Sequence, residues 1–149
     1  MRAEPYRRGT EDGEFPQRDL TELVLAAAFE VHTIMGAGLL ESVYQEALAH
    51  ELRLRKVLAQ REVELPVQYK GADLRAPLRI DLLIADEVIV EVKTVEQLQP
   101  IHVAQLLTYL RLAGKTIGLL INFNTPHLRD GIRRVINPLR SSASSVPLR

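Results

Sequence analysis

Between Leu78 and Lys93 the chain carries two short runs dense in Leu, Ile and Val, and set into them are Asp81, Glu91 and Lys93. Ile80 to Ile84 and Val88 to Val92 are each strand-sized, and Ala85-Asp86-Glu87 between them is short enough for a hairpin. A period of two puts Ile89, Glu91 and Lys93 on one face of the second strand and Val88, Val90 and Val92 on the other. Pairing Ile84 with Val88 across the three-residue loop sets Asp81 opposite Glu91, with Cβ atoms about 5 Å apart. The assignment depends on that register, because a slip of one residue separates the acids.

Like charges facing each other across a sheet destabilise it, and carboxylates are rarely buried without a partner, so a cation between the two acids would make sense of the pattern. Carboxylate oxygens, with a main-chain carbonyl and waters, suit Mg²⁺ or Mn²⁺ better than zinc, which favours the His and Cys missing from this stretch. Lys93, one pleat beyond Glu91 on the same face, is then placed to hold a water or to neutralise charge on a phosphate. Spacing alone equally admits a solvent-facing strand with an ordinary alternation of Glu and Lys.

The rest of the chain is sized to support one such site. At 149 residues and 46% hydrophobic content it can build one core but hardly two. Nineteen basic against nineteen acidic residues leave no net charge, so any nucleic-acid-binding patch must be local. No cysteine is present, which excludes disulfides, thiol catalysis and cysteine-ligated metals. The four histidines, His32, His50, His102 and His127, lack ligand spacing. An N-terminus without an apolar stretch, and no run long enough for a membrane span, lead to the expectation of a cytoplasmic protein.

In chain order, residues 1–18 have the composition of a mobile arm. Asp19 and Glu22 resemble a capping box, and Leu20, Leu23, Val24, Ala27, Val31 and Ile34 make a helical stripe ending at Gly36-Ala37-Gly38. A second helix uses Leu40, Val43, Tyr44, Ala47, Leu48 and Leu52 and runs to about Lys56. Glu62 to Lys70 alternates as a strand with one wet face, and Pro66 assigns it to an edge or a bulge. After Lys93 a helix from about Ile101 to Ala113 is closed by Gly114, and Lys115 to Phe123 follows as a strand covered on both faces. That strand–helix–strand run implies a right-handed crossover. Asp130-Gly131 signals a turn into a short strand over Ile132 to Ile136, and residues 138–149 read as a disordered tail.

The order helix, helix, three antiparallel strands, helix, parallel strand carries Asp81 and then Glu91-Val92-Lys93. This resembles the core of the PD-(D/E)XK nuclease superfamily, whose motif is an acid followed by an acid, any residue and lysine. Gly38-Leu39-Leu40-Glu41-Ser42-Val43-Tyr44 resembles the pattern that names the GxxExxY protein family, and Gln105-Leu106-Leu107-Thr108-Tyr109 resembles the Q-x-x-x-Y motif of exonuclease-type members. Ile80 stands where the superfamily signature has proline, a position often varied. The resemblance implies a single α/β domain over residues 19–137 with a restriction-endonuclease-like core, a mixed central sheet flanked by helices in the order α-α-β-β-β-α-β. It also implies Mg²⁺ or Mn²⁺ held by Asp81, Glu91 and the Val92 carbonyl with support from Glu41, and catalytic roles for Glu41, Asp81, Glu91, Lys93, Gln105 and Tyr109. The implied partner is nucleic acid, DNA ahead of RNA, with no membrane and with a homodimer left open.

Each residue also has a plainer reading. Glu41, in the first turn of its helix, complements the helix dipole, and Tyr44 on the apolar stripe reads as core. Gln105 and Tyr109 share a helix face at i and i+4, and a glutamine on a helix that covers a sheet calls for a partner. His32 and His102 read as structural, and Arg129, Arg133 and Arg134 read equally as phosphate contacts or a solvated edge. Three functions stay open: a metal-dependent nuclease, a nuclease-fold module that binds nucleic acid or protein without cleaving, and a metal-independent glycosidase using Glu41 and Glu91.

Overall fold

An apolar run with no polar alternation needs cover on both faces, and Ile117–Asn122 has it, since every residue of the strand is buried. The computed structural model describes residues 17–138, with side chains from Leu20 onward. The N-terminal arm up to residue 16 and the tail beyond Pro138 lie outside the described residues. The elements are α1 (Gln17–Met35), α2 (Glu41–Leu54), β1 (Ala59–Leu65), β2 (Gln68–Tyr69), β3 (Ala72–Asp73), β4 (Leu78–Ile84), β5 (Val88–Lys93), α3 (Pro100–Ala113), β6 (Ile117–Asn122) and β7 (Ile132–Ile136). The main sheet has five strands in the order β1-β4-β5-β6-β7. Its neighbours are antiparallel except β5 and β6, which α3 joins as a parallel pair. The expected mixed α/β architecture is therefore present.

Two apolar layers sandwich the sheet. Residues of α1 and α2, among them Leu20, Val24, Tyr44, Leu48 and Leu52, pack with Val88, Val90 and Val92. On the other face Leu106, Tyr109 and Leu110 of α3 pack with Ile89 and Leu120. The β5 alternation is thus as the sequence predicts. Pro100 opens α3, and Gly114 closes it at φ 66°, a left-handed conformation that costs glycine nothing. No helix among the described residues is long and apolar enough to cross a membrane.

The structure corrects several local expectations. Helix α1 starts at Gln17, so Asp19 lies inside it rather than at its cap. The stripes extend past their partners: Ile34 and Leu40, which flank the α1–α2 turn, are each 73% exposed. Strand β1 begins at Ala59 and stops before Pro66, which cannot donate to a ladder. Beyond it, Gln68–Tyr69 pairs with Ala72–Asp73 in a separate small ribbon, leaving Tyr69 exposed instead of on the β1 core face. Strand β1 is indeed at an edge of the sheet.

Candidate active site

The central hairpin has the expected register, with Ile84 opposite Val88, Leu83 opposite Ile89 and Leu82 opposite Val90. Its turn places Ala85 and Asp86 at φ 50° and 57°, the positive values that hairpin turns favour. The regular ladder ends at Leu82, one residue short of Asp81. In β4, Leu82 and Ile84 belong to the α1/α2 layer, yet Ile80 belongs to the α3 layer. A regular strand would keep all three on one face, so the alternation turns over at Asp81. Strand β1 turns over at the same level: Ala59 packs with the α1/α2 layer, Val63 and Leu65 with the α3 layer, and Glu62 between them takes φ 54°. The two strands twist together without loss of register.

At this break Asp81 replaces the backbone ladder with its own carboxylate. Asp81 Oδ2 accepts the Val92 N–H at 2.8 Å, and Glu91 Oε1 accepts the Asp81 N–H at 3.3 Å. Because the Lys93 carbonyl accepts the Phe123 N–H of the β6 side, the alternation of backbone groups turns the carbonyl of Val92 the other way, toward Asp81. Two carboxylates and one carbonyl therefore converge at the opened edge of β4 and β5.

Glu91 is buried, with 3% exposure. Burial, then the neighbouring Asp81 charge, pushes its carboxyl up to about 9. Asp81 is also raised, first by burial, with the Val92 N–H and Lys93 opposing. The two behave as one coupled pair that resists holding two negative charges. Glu41 opens α2 and is raised as well, first by burial and then by Asp81, while Lys93 lowers it. That electrostatic coupling places the first turn of α2 beside the pair.

On the other side, Lys93 Nζ donates to Gln105 Oε1 at 3.3 Å, and Gln105 Nε2 donates to Tyr109 Oη at 3.0 Å. Tyr109 is raised by burial and then by the Glu91 charge. The structure thus brings Glu41, Asp81, Glu91, Val92, Lys93, Gln105 and Tyr109 to one region. Among the described residues no three His, Asp or Glu side chains form a metal-binding cluster. The available donor set is the buried Glu91 carboxylate, the half-buried Asp81 carboxylate and a carbonyl, with Glu41 beside them. Hard oxygen donors whose charges repel at close range fit Mg²⁺ or Mn²⁺.

Other residues hold this arrangement. Tyr44 donates its hydroxyl to the Gly36 carbonyl at 2.5 Å, accepts the Leu39 N–H at 3.2 Å, and stacks on Phe123 at 4.5 Å between ring centroids. It is core, as expected, and it fixes the turn that delivers Glu41. His102 Nδ1 accepts the Gln99 N–H at the start of α3, and His32 Nε2 bonds the Thr125 carbonyl, so both histidines have structural partners. Arg134 donates to Thr21 and Arg133 to backbone carbonyls, whereas Arg129 lines a cleft of about 730 Å³ with Phe29, His32, Thr125 and His127. That cleft is lined by Asp130 but by none of Glu41, Asp81 and Glu91.

Among the buried polar residues that sequence reasoning missed are Asn122 and Gln45. Asn122 clamps the chain after Lys93: its Oδ1 accepts the Val95 N–H and its Nδ2 donates to the Val95 carbonyl. Gln45, one helical turn after Glu41, is buried on α2. The signal for Asn122 was a polar residue closing an otherwise apolar strand, while Gln45 lies between Tyr44 and Glu46 with no local mark.

A mixed sheet whose hairpin acids open toward flanking helices defines the restriction-endonuclease-like class. The family model of the PD-(D/E)XK nuclease superfamily matches residues 18–135, and the chain belongs to that superfamily. The crystal structure of SSO0001 is similar in fold, with a TM-score of 0.51 at 20% identity, over 85% of this chain. The match spans 61% of the SSO0001 chain. No curated protein matches the sequence.

Proposed function

We propose that the protein is a divalent-metal-dependent nuclease that hydrolyses phosphodiester bonds, with DNA ahead of RNA as substrate. The observation that carries this reading is the opened β4–β5 edge, where Asp81, Glu91 and the Val92 carbonyl converge beside a lysine already engaged by α3. Asp81, Glu91 and Val92 would hold Mg²⁺ or Mn²⁺, with Glu41 supporting. The ion's contribution when bound is to acidify a water and to offset negative charge on the phosphate. Lys93 orients the attacking water and faces the phosphate, held in place by Gln105. Tyr109, whose oxygen accepts from Gln105, keeps its own proton to donate toward a phosphate oxygen. The likeness of Gly38 to Tyr44 to the GxxExxY pattern belongs to the same reading, as does a cytoplasmic location.

The test is incubation with labelled single-stranded and duplex DNA and RNA in Mg²⁺, Mn²⁺ and EDTA. Cleavage dependent on metal is expected. Nucleic-acid binding without cleavage in any metal would move the protein to the non-cleaving class, and release of the aglycone from a chromogenic glycoside in a parallel EDTA incubation would move it to the metal-independent one.

A further inference from the structure

Gln45 is 5% exposed, and its Oε1 is buried with no hydrogen-bond partner among the described residues. An unpaired buried amide oxygen destabilises the fold, and an apolar side chain of the same shape would avoid that cost. Its position suggests why it is tolerated. Gln45 follows Glu41 by four residues and so lies on the same line of α2. Helical side chains lean toward the N-terminus of their helix, here the end where Glu41 is coupled to Asp81 and Lys93. The next residues on that line, Leu48 and Leu52, are in the core. Gln45 therefore stands where the core gives way to the site.

The chemistry of an orphan acceptor limits what can complete it. A phosphate offers only acceptors when ionised and cannot pair with Oε1. Lys93 has donors, but Gln105 accepts from it. A Mg²⁺-type ion keeps several of its waters, and those waters turn their hydrogens outward. Such an ion bound by Asp81 and Glu91 would present donors toward α2, where the Glu41 carboxyl also faces the pair.

Resting on the nuclease reading, we propose that Gln45 is a positioning residue whose Oε1 accepts a hydrogen bond from a water around the divalent ion at Asp81 and Glu91. The test compares Gln45→Met, which keeps length and loses the acceptor, with Gln45→Glu, which keeps an acceptor oxygen. Mn²⁺ affinity is read by calorimetry, and Tm is read in EDTA. Gln45→Met is expected to melt in EDTA at or above wild type while binding Mn²⁺ about 10–100-fold more weakly. Gln45→Glu is expected to bind at wild-type affinity or tighter. Wild-type Mn²⁺ affinity in Gln45→Met, or equal weakening in both variants, overturns the inference and leaves the nuclease reading standing. A Gln45→Met chain that melts well below wild type in EDTA also overturns it, by showing that the metal-free fold needs the amide. Failure of wild type itself to bind Mn²⁺ overturns both.

Discussion

On the α3 side of the acid pair, Lys93, Gln105 and Tyr109 are joined by side-chain hydrogen bonds, whereas on the α2 side the Gln45 Oε1 is buried with no partner among the described residues and Glu41 stands beside it. The α3 side presents donors that are already ordered, so they need no reorganisation when negative charge develops next to them. The α2 side presents the unpartnered Gln45 Oε1 and a Glu41 carboxyl raised by burial, a cost recovered only when something donates to them. The difference separates two tasks. On the proposed nuclease reading, the α2 side governs how tightly a cation is held, and the α3 side governs what is done to a phosphate once it is there.

The largest effects should come from the residues between the two sides. Lys93→Ala is expected to lower turnover by about 10²–10³-fold without weakening Mn²⁺ binding, since removing a cation beside two carboxylates cannot reduce their attraction for metal. Glu91→Gln should lose both, because it removes a negative ligand. Rates and calorimetry on the two variants make the comparison, and wild-type turnover in Lys93→Ala would break it.

The acid pair alone predicts a pH dependence in EDTA. Glu91 has its folded value raised from 4.5 to about 9, so folding favours the protonated form. Its stabilising contribution is complete below about pH 4.5 and is lost as pH rises toward 9; Asp81, also raised, acts in the same direction. Metal-free Tm should fall across that window by at least about 5 °C. Glu91→Gln should flatten the fall, and Mn²⁺ at pH 8 should reverse it. A flat wild-type profile would mean that the acids are not in conflict.

Tyr109→Phe sharpens the contrast from the α3 side. It removes the hydroxyl at the end of the series while Lys93 and Gln105 stay paired, so turnover should drop about tenfold, at the low end of a proton donor's contribution, with Mn²⁺ affinity unchanged. Loss of metal affinity would show that the two sides are not separable.

The α3 side was also the more legible in sequence. Pro100 and Gly114 bound the helix, and i,i+4 spacing put Gln105 and Tyr109 together, because these are local rules acting on a single element. The β4–β5 register followed from strict apolar alternation on β5. The turnover at Asp81 and Glu62 was hidden, since it depends on a left-handed glutamate that no glycine or asparagine announces. Gln45 was hidden for a similar reason: its burial is set by which arc of α2 faces the sheet, and the apolar stripe drawn from Leu40 and Val43 pointed one position away from that arc.

The smallest effect tests whether the α2 side is a unit of its own. Tyr44→Phe keeps the stack on Phe123 and removes only the hydroxyl that ties Gly36 to Leu39. Leu39 is exposed and Gly36 half-buried, so water can replace the lost bonds, and the cost should be about 1 kcal/mol. Tm should fall by about 3–5 °C. Glu41 sits two residues beyond Leu39, so a looser turn should weaken Mn²⁺ binding by no more than about threefold, since the proposed charged ligands are Asp81 and Glu91. The N–H of Phe123 bonds the Lys93 carbonyl, but the ring contact that holds Phe123 survives the substitution, and turnover at saturating metal should stay at wild type. A tenfold loss of turnover there would mean that the hydroxyl, through Phe123, sets the position of Lys93, joining the two sides into a single device.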